Sequence, residues 1–420
     1  MNHFNKALKQ TNRLHYILIS FLLTFNCTYY NAQLISCQQT DYFSKDSLES
    51  IWRTRSIPKY LSPINNGVTI YRISYYTQWV DGSKIVATGS YLLPDNNAEK
   101  PTLIYNHGTR IKKGPPKPLG GENILCLMFA SDNYQVISPD YIGLGEGEKE
   151  HLYCHVESEA RAGVDLLKAI NELKDSLEIN SSDHLFITGY SQGGHAAMSL
   201  HKVIERDYND EFKITASAPM SGPYNVSDVQ VNLMFNEYQY TSYLPYLLIG
   251  LNSAYQIWDK ESFYKIFASP YDTLLPKLFD GKHSFRRINK ELPKIPVDML
   301  NPKIVERYHN DNDFIIHKLL EENDVSNWKP IAPMQMCFCE ADKEVSYKNA
   351  IITKKNMDAL GANNVKLRSA GKKYGHGKCA GPATVYSKFY FDSFLKGSKK
   401  GRKGPILKRI VIGIYKMTHQ

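Results

Sequence analysis

A serine hydroxyl becomes a nucleophile when a base takes its proton, and Gly189-Tyr190-Ser191-Gln192-Gly193 stands where such a serine is needed. The apolar run Leu185-Phe186-Ile187-Thr188 precedes it and a helix-like run, His195 to Leu200, follows, so the context is strand, sharp turn, helix. A strained turn leaves no room for a neighbouring Cβ, and Gly189, Gly193 and Gly194 meet that need. In a nucleophile elbow of this kind the partners follow in the order serine, acid, histidine. Two histidines lie beyond residue 330; His419 is penultimate in a tail expected to fray, which leaves His376, flanked by glycines in Lys373-Tyr374-Gly375-His376-Gly377-Lys378. The acid should follow a late buried strand. Ile331 to Phe338 reads as one, with Pro333 near its start, and Asp342 comes four residues after it, with Glu340 and Glu344 as rivals on either side.

The chemistry these three residues imply is acyl transfer. His376 takes the Ser191 proton, the oxygen attacks a carbonyl, and Asp342 holds the imidazole in one tautomer and stabilises its cation. The charge that develops on the carbonyl oxygen needs donors already in place. The backbone N–H of Gln192 is the first; the strand Thr102 to Asn106 leads into His107-Gly108-Thr109, where the N–H of Thr109 is the expected second, with Gly108 as its rival. His107 reads as a strand-end histidine bonded to its own loop rather than as a proton carrier. No metal-binding cysteine spacing is present, and no cofactor or metal is expected.

Three stretches together, Tyr105-Asn106-His107-Gly108-Thr109, Ser138-Pro139-Asp140-Tyr141-Ile142-Gly143-Leu144-Gly145 and Gly189-Tyr190-Ser191-Gln192-Gly193-Gly194-His195, resemble the secretory lipase family of α/β-hydrolases. The similarity runs from about Leu34 to about Leu395 and takes in Cys339-Glu340-Ala341-Asp342 and His376-Gly377-Lys378-Cys379-Ala380. It implies carboxylester hydrolysis with Ser191, Asp342 and His376 as the triad, a cap inserted over the site, and substrates between short esters and triacylglycerols. Asp140, Tyr141 and His195 belong to the same pattern, with a supporting role for their loops expected.

The elements that would position these residues are legible in outline. Tyr71 to Tyr76 and Lys84 to Leu93, joined through Asp81-Gly82-Ser83, read as an antiparallel hairpin that begins the sheet. Strands at Tyr134 to Ser138 and Lys213 to Pro219, a helix over Glu157 to Leu177, a late strand over Val365 to Ser369 and a helix over Ala383 to Leu395 then alternate, as a mostly parallel, doubly wound α/β sheet requires. About 110 residues separate Pro219 from Ile331, too many for a plain connection. The expected organisation is a signal peptide at 1–32, a hydrolase core at 33–222 and 331–395, a cap at 223–330 rich in aromatics, and a basic tail at 396–420.

Charge excludes one class of partner. Three cationic residues in 1–32 and eight in 396–420, with no acid in either stretch, more than account for the net charge of +9, so the body between them is slightly acidic. Nucleic acid, which needs clustered Lys and Arg, is not expected. Lys6, Lys9 and Arg13 precede the apolar run Tyr16 to Phe25, the layout of a secretory signal, and Leu34-Ile35-Ser36-Cys37 resembles a lipoprotein cleavage box set too far downstream. The tail places Ile406 to Ile414 after a basic cluster; a solvated, partly disordered tail is the first reading and contact with a membrane surface the second. Cys339 bonded to Cys379 would tie the acid loop to the histidine loop, the alternative being neighbouring free thiols. The expected activity is that of a secreted serine carboxylester hydrolase acting on ester or lipid substrates. A prolyl-oligopeptidase-type peptidase and an inactive binding protein on the same fold are the alternatives; no blade repeats precede the core to build the former's propeller.

Overall fold

The computed structural model describes residues 34–174 and 176–395. The segments read as a signal peptide and as a basic tail lie outside the described residues. One nine-stranded sheet runs in the order β1-β2-β3-β5-β4-β6-β7-β8-β9. Its strands are β1 (Leu34–Phe43), β2 (Val68–Gln78), β3 (Lys84–Pro94), β4 (Lys100–Asn106), β5 (Gln135–Pro139), β6 (Ser181–Tyr190), β7 (Ile214–Met220), β8 (Met334–Cys339) and β9 (Val365–Gly371). The antiparallel β1, β2 and β3 lead into a parallel set from β5 to β9. The hairpin therefore does not begin the sheet: β1 pairs outside β2 and uses Leu34 to Cys37 as its first residues. Its polar composition hides it, because an edge strand is half solvated and carries no continuous apolar signal.

The central strands are buried on both faces, and alternation of side chains sorts them between two cores. Leu103, Tyr105, Val136 and Phe186 point to one, with α1 (Lys45–Thr54), α2 (Asn123–Ala130) and, at the end of the chain, α12 (His376–Asp392) packed over them. Ile104, Ile137, Leu185 and Ile187 point to the other, under α3 (Val156–Leu173) and α4 (Gln192–Asp207), where Val164 and Leu167 meet Leu200 and Ile204. Each such side chain removed from water contributes about 1.5–3 kcal/mol.

Between β7 and β8 the chain forms a separate helical layer: α5 (Tyr243–Tyr255), α6 (Lys260–Tyr264), α7 (Tyr271–Leu278), α8 (Phe285–Asn289), α9 (Pro302–Asn310) and α10 (Ile315–Glu322). Leu248, Phe263, Phe267, Phe314 and Leu320 belong to its own apolar cluster. Helix α11 (Lys348–Ala359) and α12 return to the main sheet. Helix α12 starts at His376, seven residues before the expected Ala383, and runs through Pro382. Burial of Cys379, Pro382 and Ala383 keeps that turn helical where the proline's local signal opposes it.

Candidate active site

Strand β6 ends at Tyr190 and α4 begins at Gln192, so Ser191 alone makes the turn, at φ 60° and ψ −123°. That conformation is rare for a residue with a side chain, and the packing around it shows what holds it. A Cβ on Gly193 would run into the carbonyl of Asn106, and one on Gly189 would meet both that carbonyl and the Gly193 backbone. The amide of Ser191 donates to the Met220 carbonyl at 3.0 Å, fixing the turn to β7.

The structure brings the three expected side chains together. His376 Nε2 lies 2.8 Å from Ser191 Oγ, and its Nδ1 lies 2.6 Å from Asp342 Oδ2. The other carboxylate oxygen of Asp342 accepts from the amides of Glu344 and Val345 at 3.0 and 2.9 Å. Asp342 follows the end of β8 and His376 opens α12; a disulfide between Cys339 and Cys379 joins the two segments, with a Cα separation of 5.9 Å. Tyr190, next to the serine, donates its hydroxyl to the His376 carbonyl at 2.5 Å. All three residues are buried. Burial opposes a charged imidazole, but the hydrogen bond and charge of Asp342, aided by the charges of Glu344 and Glu122, outweigh it and raise His376 above the ordinary histidine value. Of the rival acids, Glu340 accepts from Ser369 Oγ at 2.9 Å, and Glu344 turns its amide, not its carboxylate, toward Asp342.

The donors expected around the carbonyl oxygen come from two places. Gln192 is the first residue of α4, where an amide has no intrahelical partner. Its side-chain amide donates to fully buried Glu159 at 2.8 Å, and Glu159 also pairs with His195 Nδ1 at 2.7 Å. In the loop after β4, the Gly108 amide donates to Glu122 at 2.9 Å, which commits it elsewhere. Thr109 borders the same cavity as Ser191 and His376, and its hydroxyl lies 3.1 Å from that of Tyr153. Both ring nitrogens of His107 meet loop carbonyls, of Gly108 at 2.6 Å and Asp140 at 3.1 Å, and burial followed by the charge of Arg110 holds its pKa well below the ordinary value. Asp140 binds Arg72 and Arg110, while Tyr141 donates to the His107 carbonyl at 2.8 Å. These residues brace the loop.

Cys154, Glu159 and His195 bring one ligand atom each within 4.8 Å of one another. His195 and Glu159 already satisfy each other there: burial opposes the imidazolium, but the charge and hydrogen bond of Glu159 raise the His195 pKa. A cation would have to break that pair.

Ser191 lies where two cavities meet. One runs from Ser191 into the helical layer and is lined by apolar side chains such as Leu244, Leu247, Leu248, Phe314, Ile316 and Leu320. The other is lined by His376 and Thr109 together with Glu122, Glu344, Tyr240 and Tyr243. Glu122 and Glu159 are site neighbours that the sequence reading does not identify. Glu159 leaves a trace, an acid on the face of α3 that also carries Val156, Ala160 and Gly163; Glu122 leaves none.

A family model described as Secretory lipase matches residues 119–377. Among solved structures, a putative hydrolase from Legionella pneumophila is similar with a TM-score of 0.81 and 26% identity, the match covering 88% of this chain and 100% of that one. The rice cell wall degrading esterase LipA from Xanthomonas oryzae is similar with a TM-score of 0.74 and 25% identity, over 86% of this chain and 94% of that one. Candida antarctica lipase A in its closed state shares the fold, with a TM-score of 0.66 and 16% identity over 88% of this chain and 83% of that one. No curated protein matches the chain.

Proposed function

This chain belongs to the secretory lipase family, and from that premise we propose that it hydrolyses carboxylic esters through a covalent acyl-enzyme on Ser191. The observation that carries the reading is the unbroken chain of short contacts from Asp342 through His376 to Ser191, 2.6 and 2.8 Å long. His376 Nε2 removes the serine proton as Oγ attacks the carbonyl carbon, and Asp342 balances the imidazolium that forms. The N–H groups of Gln192 and Thr109 receive the charge on the carbonyl oxygen. Collapse of this intermediate expels the alcohol, which takes the proton from His376. A water activated by the same nitrogen then releases the acid and restores the serine.

The helical layer over the site, residues 223–330, acts in this reading as a cap on the hydrolase core at 33–222 and 331–395. The apolar cavity it forms with Ser191 suits an acyl chain. Export through a leader at 1–32 fits the family's description; among the described residues no helix is long and apolar enough to cross a membrane. A membrane role for the tail at 396–420 is a proposal resting on sequence alone.

The test is a panel of p-nitrophenyl esters of increasing acyl length beside a dipeptidyl-proline substrate, with fluorophosphonate labelling, on wild type and Ser191→Ala. Ester turnover and labelling that both vanish in the variant are expected. Turnover that survives it, or a preference for the peptide, would overturn the proposal.

A further inference from the structure

The two cavities at Ser191 differ in chemistry, and the mechanism assigns them to different halves of the ester. The base that takes the serine proton must hand it to the departing alcohol, so the alcohol lies on the side where His376 is exposed. His376 borders only the second cavity. Two carboxylates line that cavity and, among its described lining residues, there is no lysine or arginine. The Glu122 carboxylate is held by the Tyr105 hydroxyl at 2.8 Å and the Gly108 amide at 2.9 Å. Arg110, whose charge reaches Glu122, is itself paired with Asp140 at 3.2 Å. Glu344 is different: its amide serves Asp342 and its carbonyl serves Gln230 and Tyr238, but among the described residues its carboxylate makes no hydrogen bond or ion pair. It is half-buried in the wall of the cavity that His376 borders, and among the described residues no hydrogen bond or ion pair accounts for its carboxylate.

We propose that Glu344, with Glu122 behind it, selects the alcohol half of the substrate by charge, admitting neutral and cationic alcohols and opposing anionic ones. The inference rests on Ser191 being the nucleophile. It places acylglycerols and amino-alcohol esters among the substrates and sets phospholipids, whose leaving alcohol carries a phosphate, at a disadvantage. Between a cation and an anion the interaction with one carboxylate changes sign, so it counts twice, and a partly solvated site screens it to about tenfold in kcat/KM.

The experiment compares three esters with one shared acyl chain and alcohols of similar size: choline, 3,3-dimethylbutanol and 3-sulfopropanol. Released acid is titrated at about pH 8, because burial, with the charge of Asp342, pushes the Glu344 carboxyl above its ordinary range. Wild type should prefer the choline over the sulfopropyl ester by about tenfold, and the preference should shrink with added salt. In Glu344→Gln the ratio should fall toward one, while Glu344→Asp should keep most of it. The ratio is read within each enzyme, so a general loss of activity cancels. Equal rates in the wild type, a ratio untouched by Glu344→Gln, or a ratio indifferent to salt would overturn the inference. Ester turnover that persists in Ser191→Ala would instead overturn the reading of the nucleophile.

Discussion

The hydrolase core and the helical layer above it meet at Ser191 but are built by different rules. In the core, atoms of the backbone decide: Gly193 exists because the Asn106 carbonyl occupies the place a Cβ would take, and Ser191 is held at φ 60° by the strands on either side. In the layer, apolar area dominates: Leu248, Phe263, Phe314 and Leu320 belong to one apolar cluster, and a close backbone approach recurs at Gly250, where a Cβ would meet the Tyr153 amide. A site that must hold reacting atoms in place draws on the first kind of order, and a pocket that must accept a chain of methylenes draws on the second. Substitutions should therefore act abruptly below Ser191 and gradually above it.

The largest effect belongs to the proposed triad. Ser191→Ala and His376→Ala should each lower kcat by about 10⁴-fold or more, and the double variant should be little worse than either, because the two act as one unit. Additive losses in a double-mutant cycle would break that unity. Next comes Gly193→Ala, whose methyl must displace the Asn106 carbonyl at the end of β4 and with it the loop carrying Thr109. A displacement near 1 Å costs about 10²-fold in rate. Wild-type kcat/KM in this variant would show that the elbow is looser than the close approach implies. In the layer, Leu248→Trp should leave short esters nearly untouched and cut the longest by about tenfold, since each methylene denied burial costs about 0.8 kcal/mol. An unchanged chain-length profile would move the acyl chain out of that cavity.

The same division explains what the sequence reveals. The elbow, the loop after β4 and the late positions of Asp342 and His376 are legible because glycine, strained serine and chain order are local demands written at fixed spacing. The sheet is legible where strands are buried, as at Leu103 to Tyr105 and Leu185 to Ile187, and illegible at β1, whose exposed edge carries Ser36, Gln38 and Gln39 among few apolar residues. Helix α12 was obscured by Pro382, where tertiary burial overrides local preference. Glu122 could not be found at all, because its partners, Tyr105 and the Gly108 amide, are set by the fold and not by spacing along the chain. The aromatics of the layer are numerous in the sequence, yet nothing in their spacing separates those facing Ser191 from those filling the layer's own core.

The smallest effect is electrostatic and lies within the core. In the proposed mechanism His376 must be neutral to accept the serine proton, so kcat/KM should rise with pH through its pKa. Burial lowers that pKa, but the hydrogen bond and charge of Asp342 raise it more, and Glu344 and Glu122 add to the rise. The midpoint of the acid limb should accordingly lie above about 6.5, the value of a free histidine. Glu344→Gln removes one charge that favours the imidazolium while leaving the backbone amide at 344 free to serve Asp342. The midpoint should then move to lower pH, a modest step because the carboxylate is partly solvated and screened. The shift should be the same for a neutral and a cationic ester, since it belongs to the base in the free enzyme and not to the alcohol. A midpoint that stays fixed, or rises, would mean that Glu344 acts on the leaving group alone and has no electrostatic hold on His376.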